Sequence, residues 1–485
     1  MLTLREMSLY LGSNPANHLP EDLYGREVAS FCLDSRQAGP GDVFVCIKGE
    51  NSDGHDYAAQ AAANGALAII AERDPFNGET PPLAVIRVEN SQEAVTSLAG
   101  WWRDRAAGNG VKVVGVTGTA GKTSVKEVLS AVLAVRGQTC KNFLNMNNQL
   151  GLPISMLNAS EHADFWVMEA GISEARDMDE LGSLLRPDLA LILNVGQGHL
   201  SGLGDKGVSY YKARLLSYVT PDGKALVNAD YPDLVRESKA HNITPAYFST
   251  RRSDADFFVE YLGPAAQDST VPRASGSYRV HVLEGGRESL SFEVAAPFRG
   301  AFGAENVAAI AGTALLLGLT PEEIQKGLPD AALPRQRFSC QSFRDTVLID
   351  DCYNANPLSA GRMLESAAEM AKEKKLGLFL VMGEMLELGE AAAESHFQLG
   401  RQMAQSGAAQ VIWKGGMSAQ VRGGLEQEGF GGEFVPVSSD EEFLAAVKNG
   451  YAKSMAGVLL FKGSRGNRLE RFVSAFRQEY TDEQR

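Results

Sequence analysis

Cysteine is scarce in this sequence. Cys32, Cys46, Cys140, Cys340 and Cys352 lie scattered among 485 residues, with no Cys-x-x-Cys pair and one left over. That speaks against a disulfide framework and fits a reduced, cytoplasmic protein, although Cys352 adjoins Asp351 and is a candidate for reactivity. Long apolar runs are missing too. None approaches the ~20 residues that span a bilayer, so no stable membrane insertion is expected. The opening MLTLREMSLYLG carries Glu6 where a secretory leader needs continuous apolar residues, so no leader is expected. Positive charge is short: 46 Lys and Arg face 60 Asp and Glu, a net charge of -14. A nucleic-acid partner, which calls for a basic face, is therefore not expected. Small anions are not excluded, because a few local cations override the global field.

What is present is ordinary for a globular chain, with 44% hydrophobic and 22% charged residues. The length suggests two to four domains, at roughly 100–200 residues each. The pattern predicts an α/β fold in three domains. In residues 1–110 the short runs GDVFVCIKG, ALAIIAE and LAVIRVEN read as strands, with AAQAAANGA a small helix. Residues 111–330 carry DFWVMEAG, DLALILNVG and GKALVNAD, buried-strand candidates separated by helical stretches, the signature of a parallel sheet. Within them SYRVHVLEGGRESLSFEV alternates around Gly-Gly and predicts an added antiparallel hairpin. Residues 331–485 return to βαβ order, a Rossmann-like module, through TVLIDD, LGLFLVMG, AAQVIWKG and GVLLFKG.

The most informative stretch is VVGVTGTAGKTS, Val113 to Ser124. A strand ends in a Gly-rich turn and a helical segment follows. Backbone N–H groups of such a turn, backed by the positive end of a helix, bind phosphate oxygens. Gly118, Thr119, Ala120, Gly121, Lys122, Thr123 and Ser124 are thus the candidate ATP contacts. Lys122 would bridge the terminal phosphates and Thr123 would offer its hydroxyl to Mg²⁺. The loop is shorter than the general G-x-x-x-x-G-K-[ST] pattern, since Val116 stands where the first glycine would be. Three further residues could serve such a centre. Glu169 closes the strand FWVME, where a carboxylate can reach Mg²⁺; alternatively it is a solvated strand end. His199 follows the next strand, and a lone histidine is more often structural. Lys212, taken alone, is a helix-surface lysine.

TGTAGKTS, NNQLGLP, VMEAG, GHLSGLG and YYKARLL occur in the order and spacing of the Mur ligases, and the chain resembles that family over nearly its whole length. The resemblance implies an ATP-dependent, amide-forming enzyme of peptidoglycan synthesis, with an N-terminal UDP-binding module, a central ATPase module and a Rossmann-like third module. By it, Thr123, Glu169 and His199 coordinate or orient Mg²⁺, and Lys212 carries a carbamate, an anionic oxygen ligand suited to a hard cation. Catalysis falls to Lys122, His199 and Lys212. Asn306, Arg337 and Asp351 hold the nucleotide; each alone reads as a helix cap, a surface arginine or a strand-end carboxylate. DSRQAGPGDVFVCIKGENSDGHDY resembles the UDP-binding module shared by the members that add the third residue and the terminal dipeptide, while LIDDCYNANPLS, VMGEMLELG and KGSRG resemble those that add D-alanyl-D-alanine to UDP-N-acetylmuramoyl-tripeptide. That implies substrate contacts at Ser35, Arg36, Asn147, Asn148, Tyr353, Asn354 and Asn356, and a monomeric enzyme. Departures are also visible: Glu305 stands where the family commonly has His, and Gln149 where an acidic residue is usual.

Three rivals differ in observable ways. Folylpolyglutamate synthase shares the central loop but lacks the DSR…DGHDY module. A GTPase would carry an Asn-Lys-x-Asp guanine reader, which is absent. A catalytically dead nucleotide fold would not be expected to retain Lys122, Thr123, Glu169, His199 and Lys212 together.

Overall fold

The computed structural model describes residues 2–12, 17–196, 206–265, 275–343 and 345–481. The chain packs as two compact units. The first comprises Met1–Gly115, Gly137–Gly171 and Asp179–Asp188; the second comprises Val116–Arg136, Ile172–Met178 and Leu189–Arg485.

In the first unit, β1 (Phe31–Cys32), β2 (Val43–Val45), β3 (Ala68–Ala71) and β4 (Ala84–Arg87) form an all-parallel sheet in that order. Such strands are covered on both faces, and β2 and β3 are buried throughout. The small helix read in AAQAAANGA is Ala58–Ala63. The helix Ser91–Gly108 starts where the Asn90 side chain accepts from the Glu93 N–H, and it buries Val95, Leu98, Ala99 and Trp102. Strand β5 (Lys112–Thr117) begins here, with Lys112 N–H donating to the Asp164 carbonyl at 3.0 Å. Strands β6 (Thr139–Lys141) and β7 (Phe165–Glu169) pair in parallel.

Strand β5 ends in the second unit, where its Thr117 carbonyl accepts from Leu193 N–H at 2.9 Å. There β8 (Leu189–Ile192), β9 (Lys224–Asn228), β10 (Ala246–Ser249) and β11 (Phe257–Pro264) lie side by side in parallel. β12 (Gly276–Glu284) and β13 (Arg287–Ala296) extend them antiparallel. Gly285 and Gly286 both have positive φ, 57° and 76°, the conformation that a two-residue hairpin with the right twist requires. The helix Gly300–Leu316 is apolar on nearly every side and buried for most of its length.

A further sheet in this unit runs β14-β15-β19-β16-β17-β18, from β14 (Ser339–Phe343), β15 (Thr346–Asp351), β16 (Leu378–Gly383), β17 (Gln410–Lys414), β18 (Glu433–Pro436) and β19 (Gly457–Lys462). Only the edge strand β14 is antiparallel to its neighbour. Asp351 and Lys462 are register partners at the carboxyl ends of β15 and β19. In open parallel sheets that end is where ligands bind. Asn356 caps the helix Pro357–Lys374 just beyond, its side chain accepting from Ser359 N–H at 2.8 Å.

Candidate active site

The Gly-rich turn is built as the sequence predicts, between β5 and the helix Lys122–Leu133. Gly121 sits at the helix N-cap with φ +83°, a left-handed conformation that costs a residue with a Cβ roughly 1–2 kcal/mol. A Cβ there would also stand 3.0 Å from the Asn306 Oδ1, and one on Gly118 would stand 2.9 Å from the Leu193 Cβ. Packing therefore calls for glycine at both positions, and backbone shape calls for it at Gly121 as well. Lys122 Nζ donates to the Gly118 carbonyl at 2.8 Å, and Lys212 Nζ donates to the same carbonyl at 3.0 Å. Two ammonium groups 90 residues apart in sequence thus converge on one turn.

Asn194, just past β8, straps the turn from below. Its Oδ1 accepts from Ala120 N–H at 2.8 Å and Thr119 N–H at 3.1 Å, and its own carbonyl accepts from Thr119 N–H at 3.0 Å. Its Nδ2 donates to the Ala120 carbonyl at 3.0 Å and to Glu305 Oε1 at 2.7 Å. The other oxygen of Glu305 accepts from Arg362 Nη2 at 2.5 Å and from the Tyr231 hydroxyl at 3.4 Å. Burial holds the Glu305 carboxyl above the usual carboxylate range, with the Arg362 guanidinium pulling the other way. None of Asn194, Tyr231 and Arg362 stands out in the sequence as a site residue.

The candidates that read ambiguously in sequence are resolved in placement. Lys212 is no surface lysine but 4% exposed, and Thr123 is likewise buried. Glu169 is not solvated; it is 2% exposed, its backbone exchanges hydrogen bonds with the Asn142 side chain, and its Oε1 accepts from Asn147 Nδ2 at 2.6 Å. Asn148 Oδ1 accepts from Gly151 N–H at 2.8 Å and starts the following helix. Asn306 is not a cap: it lies inside the helix Gly300–Leu316, 1% exposed, and neither its Oδ1 nor its Nδ2 has a hydrogen-bond partner among the described residues. An unpaired buried amide costs about 1–3 kcal/mol, and this one sits beside Gly121.

At the carboxyl end of the last sheet, Asp351 Oδ2 accepts from the fully buried Lys462 at 2.5 Å, and its Oδ1 accepts from Phe338 N–H at 2.9 Å. Lys462 also donates to the Asn354 carbonyl at 3.1 Å. The Arg337 guanidinium lies 4.2 Å over the Tyr353 ring, held between Gln336 and Phe338, which both have left-handed φ. Asn356 Nδ2 reaches the Thr119 carbonyl of the Gly-rich turn at 3.4 Å. In the first unit, Ser35 is buried and donates to Gln60 Oε1 at 2.7 Å, while Arg36 is exposed and paired to Asp34 at 2.7 Å. His199 lies outside the described residues. Cys352 is buried against Asp350, and burial pushes its thiol up, so it is not a reactive thiolate.

Three family models match the chain. They are the Mur ligase family catalytic domain over residues 27–101, the Mur ligase middle domain over 116–314, and the Mur ligase glutamate ligase domain over 336–465. UDP-N-acetylmuramoyl-tripeptide–D-alanyl-D-alanine ligase of Escherichia coli (strain K12) is 30% identical over 467 residues, covering 95% of this chain and 96% of its own. A crystal structure of MurF from Acinetobacter baumannii is 28% identical with a TM-score of 0.79, covering 95% of each chain. MurF ligase from Thermotoga maritima, solved in complex with ADP, is 26% identical with a TM-score of 0.77, covering 94% of this chain and 99% of that one. With its three matched modules and end-to-end similarity to these enzymes, the chain belongs to the Mur ligase family.

Proposed function

We propose that the chain joins UDP-N-acetylmuramoyl-tripeptide to D-alanyl-D-alanine in an ATP-dependent amide-forming reaction, giving the UDP-N-acetylmuramoyl-pentapeptide used in cell-wall synthesis. The observation that carries this is a strapped Gly118–Thr123 turn with two lysines on one carbonyl, in a chain that matches a ligase of that activity along 95% of its length. The domain limits are proposed at 1–110, 111–330 and 331–485, in keeping with the ranges the family models match.

The chemistry requires an activated acid. A carboxylate is a poor electrophile, and the γ-phosphoryl group of the substrate ATP converts it to an acyl phosphate with a good leaving group. That transfer joins two anions, so the cation of Lys122 and the N–H groups of the turn would lower its barrier by holding charge that develops there. The amine of D-alanyl-D-alanine, having given up a proton, then attacks the acyl carbon. The tetrahedral oxyanion collapses with expulsion of phosphate, leaving an amide, ADP and inorganic phosphate.

The orphaned Asn306 amide and the Gly121 cradle fit a nucleotide, and we assign Asn306, Arg337 and Asp351 to the nucleoside end. Thr123, Glu169, His199 and a carbamylated Lys212 would hold Mg²⁺, which when bound supplies charge neutralisation on the phosphates. A carbamate on Lys212 would turn a buried cation into an anionic oxygen ligand for that ion. Ser35 and Arg36 are assigned to the UDP moiety, and Asn147, Asn148, Tyr353, Asn354 and Asn356 to the two peptide substrates. No helix among the described residues is long and apolar enough to cross a membrane, and we take the working form to be a cytoplasmic monomer.

Phosphate release measured with all three substrates, and with each omitted in turn, tests the reading. Release that needs ATP, the UDP-tripeptide and D-alanyl-D-alanine together is expected. Release that persists without either peptide substrate would sink it.

A further inference from the structure

Glu305 is a buried carboxylate that the activity does not by itself explain. It lies inside the helix Gly300–Leu316, one residue before Asn306, and is 6% exposed. Its two oxygens face in different directions. Oε1 takes the Nδ2 proton of Asn194, and Oε2 takes protons from Arg362 and from the Tyr231 hydroxyl, while Arg362 donates to that same hydroxyl at 2.6 Å. Arg362 belongs to the helix Pro357–Lys374, and its guanidinium is stacked 4.6 Å over Phe302.

The consequence runs through the amide of Asn194. A terminal amide can be turned by 180°, exchanging its acceptor oxygen for its donor nitrogen at little cost unless its partners differ. Here Oδ1 must face Ala120 N–H and Thr119 N–H, and a flipped amide would present N–H to N–H. The Ala120 carbonyl and Glu305 Oε1 both demand the nitrogen on the other side. A charged acceptor makes the stronger hydrogen bond of the two. Glu305 is therefore the charged one among the four partners that together fix the orientation of the amide that shapes the turn, and Arg362 is the cation that lets a carboxylate remain buried there.

We propose that Glu305 is a positioning residue for the nucleotide, acting through Asn194 on the Ala120–Thr119 backbone, with Arg362 as its counter-ion. This rests on the assignment of the Gly118–Thr123 turn to ATP.

Removing one partner alone leaves a buried charge and endangers the fold, so the test uses two double variants. In Glu305→Leu/Arg362→Met the charges are replaced by apolar groups of similar length, and Asn194 loses its acceptor. In Glu305→Gln/Arg362→Met the charges are equally gone, but the glutamine oxygen can still accept from Asn194. Binding of Mg²⁺-ADP is measured by calorimetry, with UDP-tripeptide binding and thermal melting alongside. The Leu/Met variant is expected to melt cooperatively and bind the UDP-tripeptide within about twofold of the parent, but to bind ADP about tenfold more weakly, the scale of one lost buried hydrogen bond. The Gln/Met variant is expected to recover ADP affinity to within about threefold of the parent. Parental ADP affinity in the Leu/Met variant, or equal losses in both, would overturn the proposal. A parent chain that fails to bind ADP at all would instead sink the nucleotide assignment beneath it.

Discussion

Asn306→Leu is the substitution whose two effects have opposite signs. Leucine is close in shape to asparagine but carries no polar atom. Because both polar atoms of the Asn306 side chain are buried without partners among the described residues, the protein without nucleotide bears their desolvation. At about 1–3 kcal/mol for an unsatisfied buried group, the leucine variant should be the more stable of the two when no ligand is present. For a module of about 200 residues each kcal/mol moves the melting temperature by roughly 2–4 °C, so a rise of a few degrees is expected. Nucleotide binding should move the other way. If the amide meets adenine or ribose, its loss weakens ADP by about tenfold to a hundredfold, and saturating ADP should no longer raise the variant's melting temperature as it does the parent's. Differential scanning calorimetry with and without Mg²⁺-ADP reads both effects. A variant that melts lower than the parent, or that keeps ADP affinity within twofold, would refute the reasoning.

Lys122→Ala should abolish ADP formation while UDP-tripeptide binding, measured by calorimetry, stays within about threefold, since the lysine donates within the Gly118–Thr123 turn and Ser35 and Arg36 lie in the other unit; comparable turnover would contradict it. With ¹³C-bicarbonate, a carbamate carbon signal should appear in the parent and be missing in Lys212→Arg, and its presence in both would place the modification elsewhere. Acid stability offers a check on the last module. His396 is buried with its Nε2 accepting from Met385 N–H at 2.9 Å, and burial lowers its pKa. The unfolded chain therefore takes up the proton first, near pH 6.5, and stability falls as pH drops below that value, by up to about 1.4 kcal/mol per pH unit. In His396→Gln the urea midpoint should fall less between pH 7 and pH 5.5 than in the parent; an equal fall would show that other groups carry the acid sensitivity.

Much of the frame was legible because it is written locally. Hydrophobic runs bounded by Gly and Asp mark β8, β9, β15, β16, β17 and β19, and the Gly285–Gly286 pair marks its hairpin, since each depends on neighbours in sequence. The edge strands β14 and β18 carry no such mark. The exposed pattern of β18 carries no buried run, and an edge needs a partner on one side only. The Gly-rich turn was legible from a strand, a glycine–lysine–threonine triplet and a helix. Its support was not. Asn194 looks like any residue after a strand, Glu305 looks like a departure from pattern, and Arg362 is 57 residues farther on. No local propensity links them, because the reason for each is a hydrogen bond to another. Lys212 shows the same limit: its spacing in YYKARLL suggests a helix surface, and only tertiary packing buries it against the Gly118 carbonyl.

The measurement that goes to the centre of the account is the fate of an oxygen atom. With ¹⁸O placed in the terminal carboxylate of the UDP-tripeptide, turnover with ATP and D-alanyl-D-alanine should deliver one labelled oxygen into each inorganic phosphate released, because the acid's oxygen leaves with the phosphoryl group. Phosphate that carries no label while amide accumulates would show that the acid is never phosphorylated.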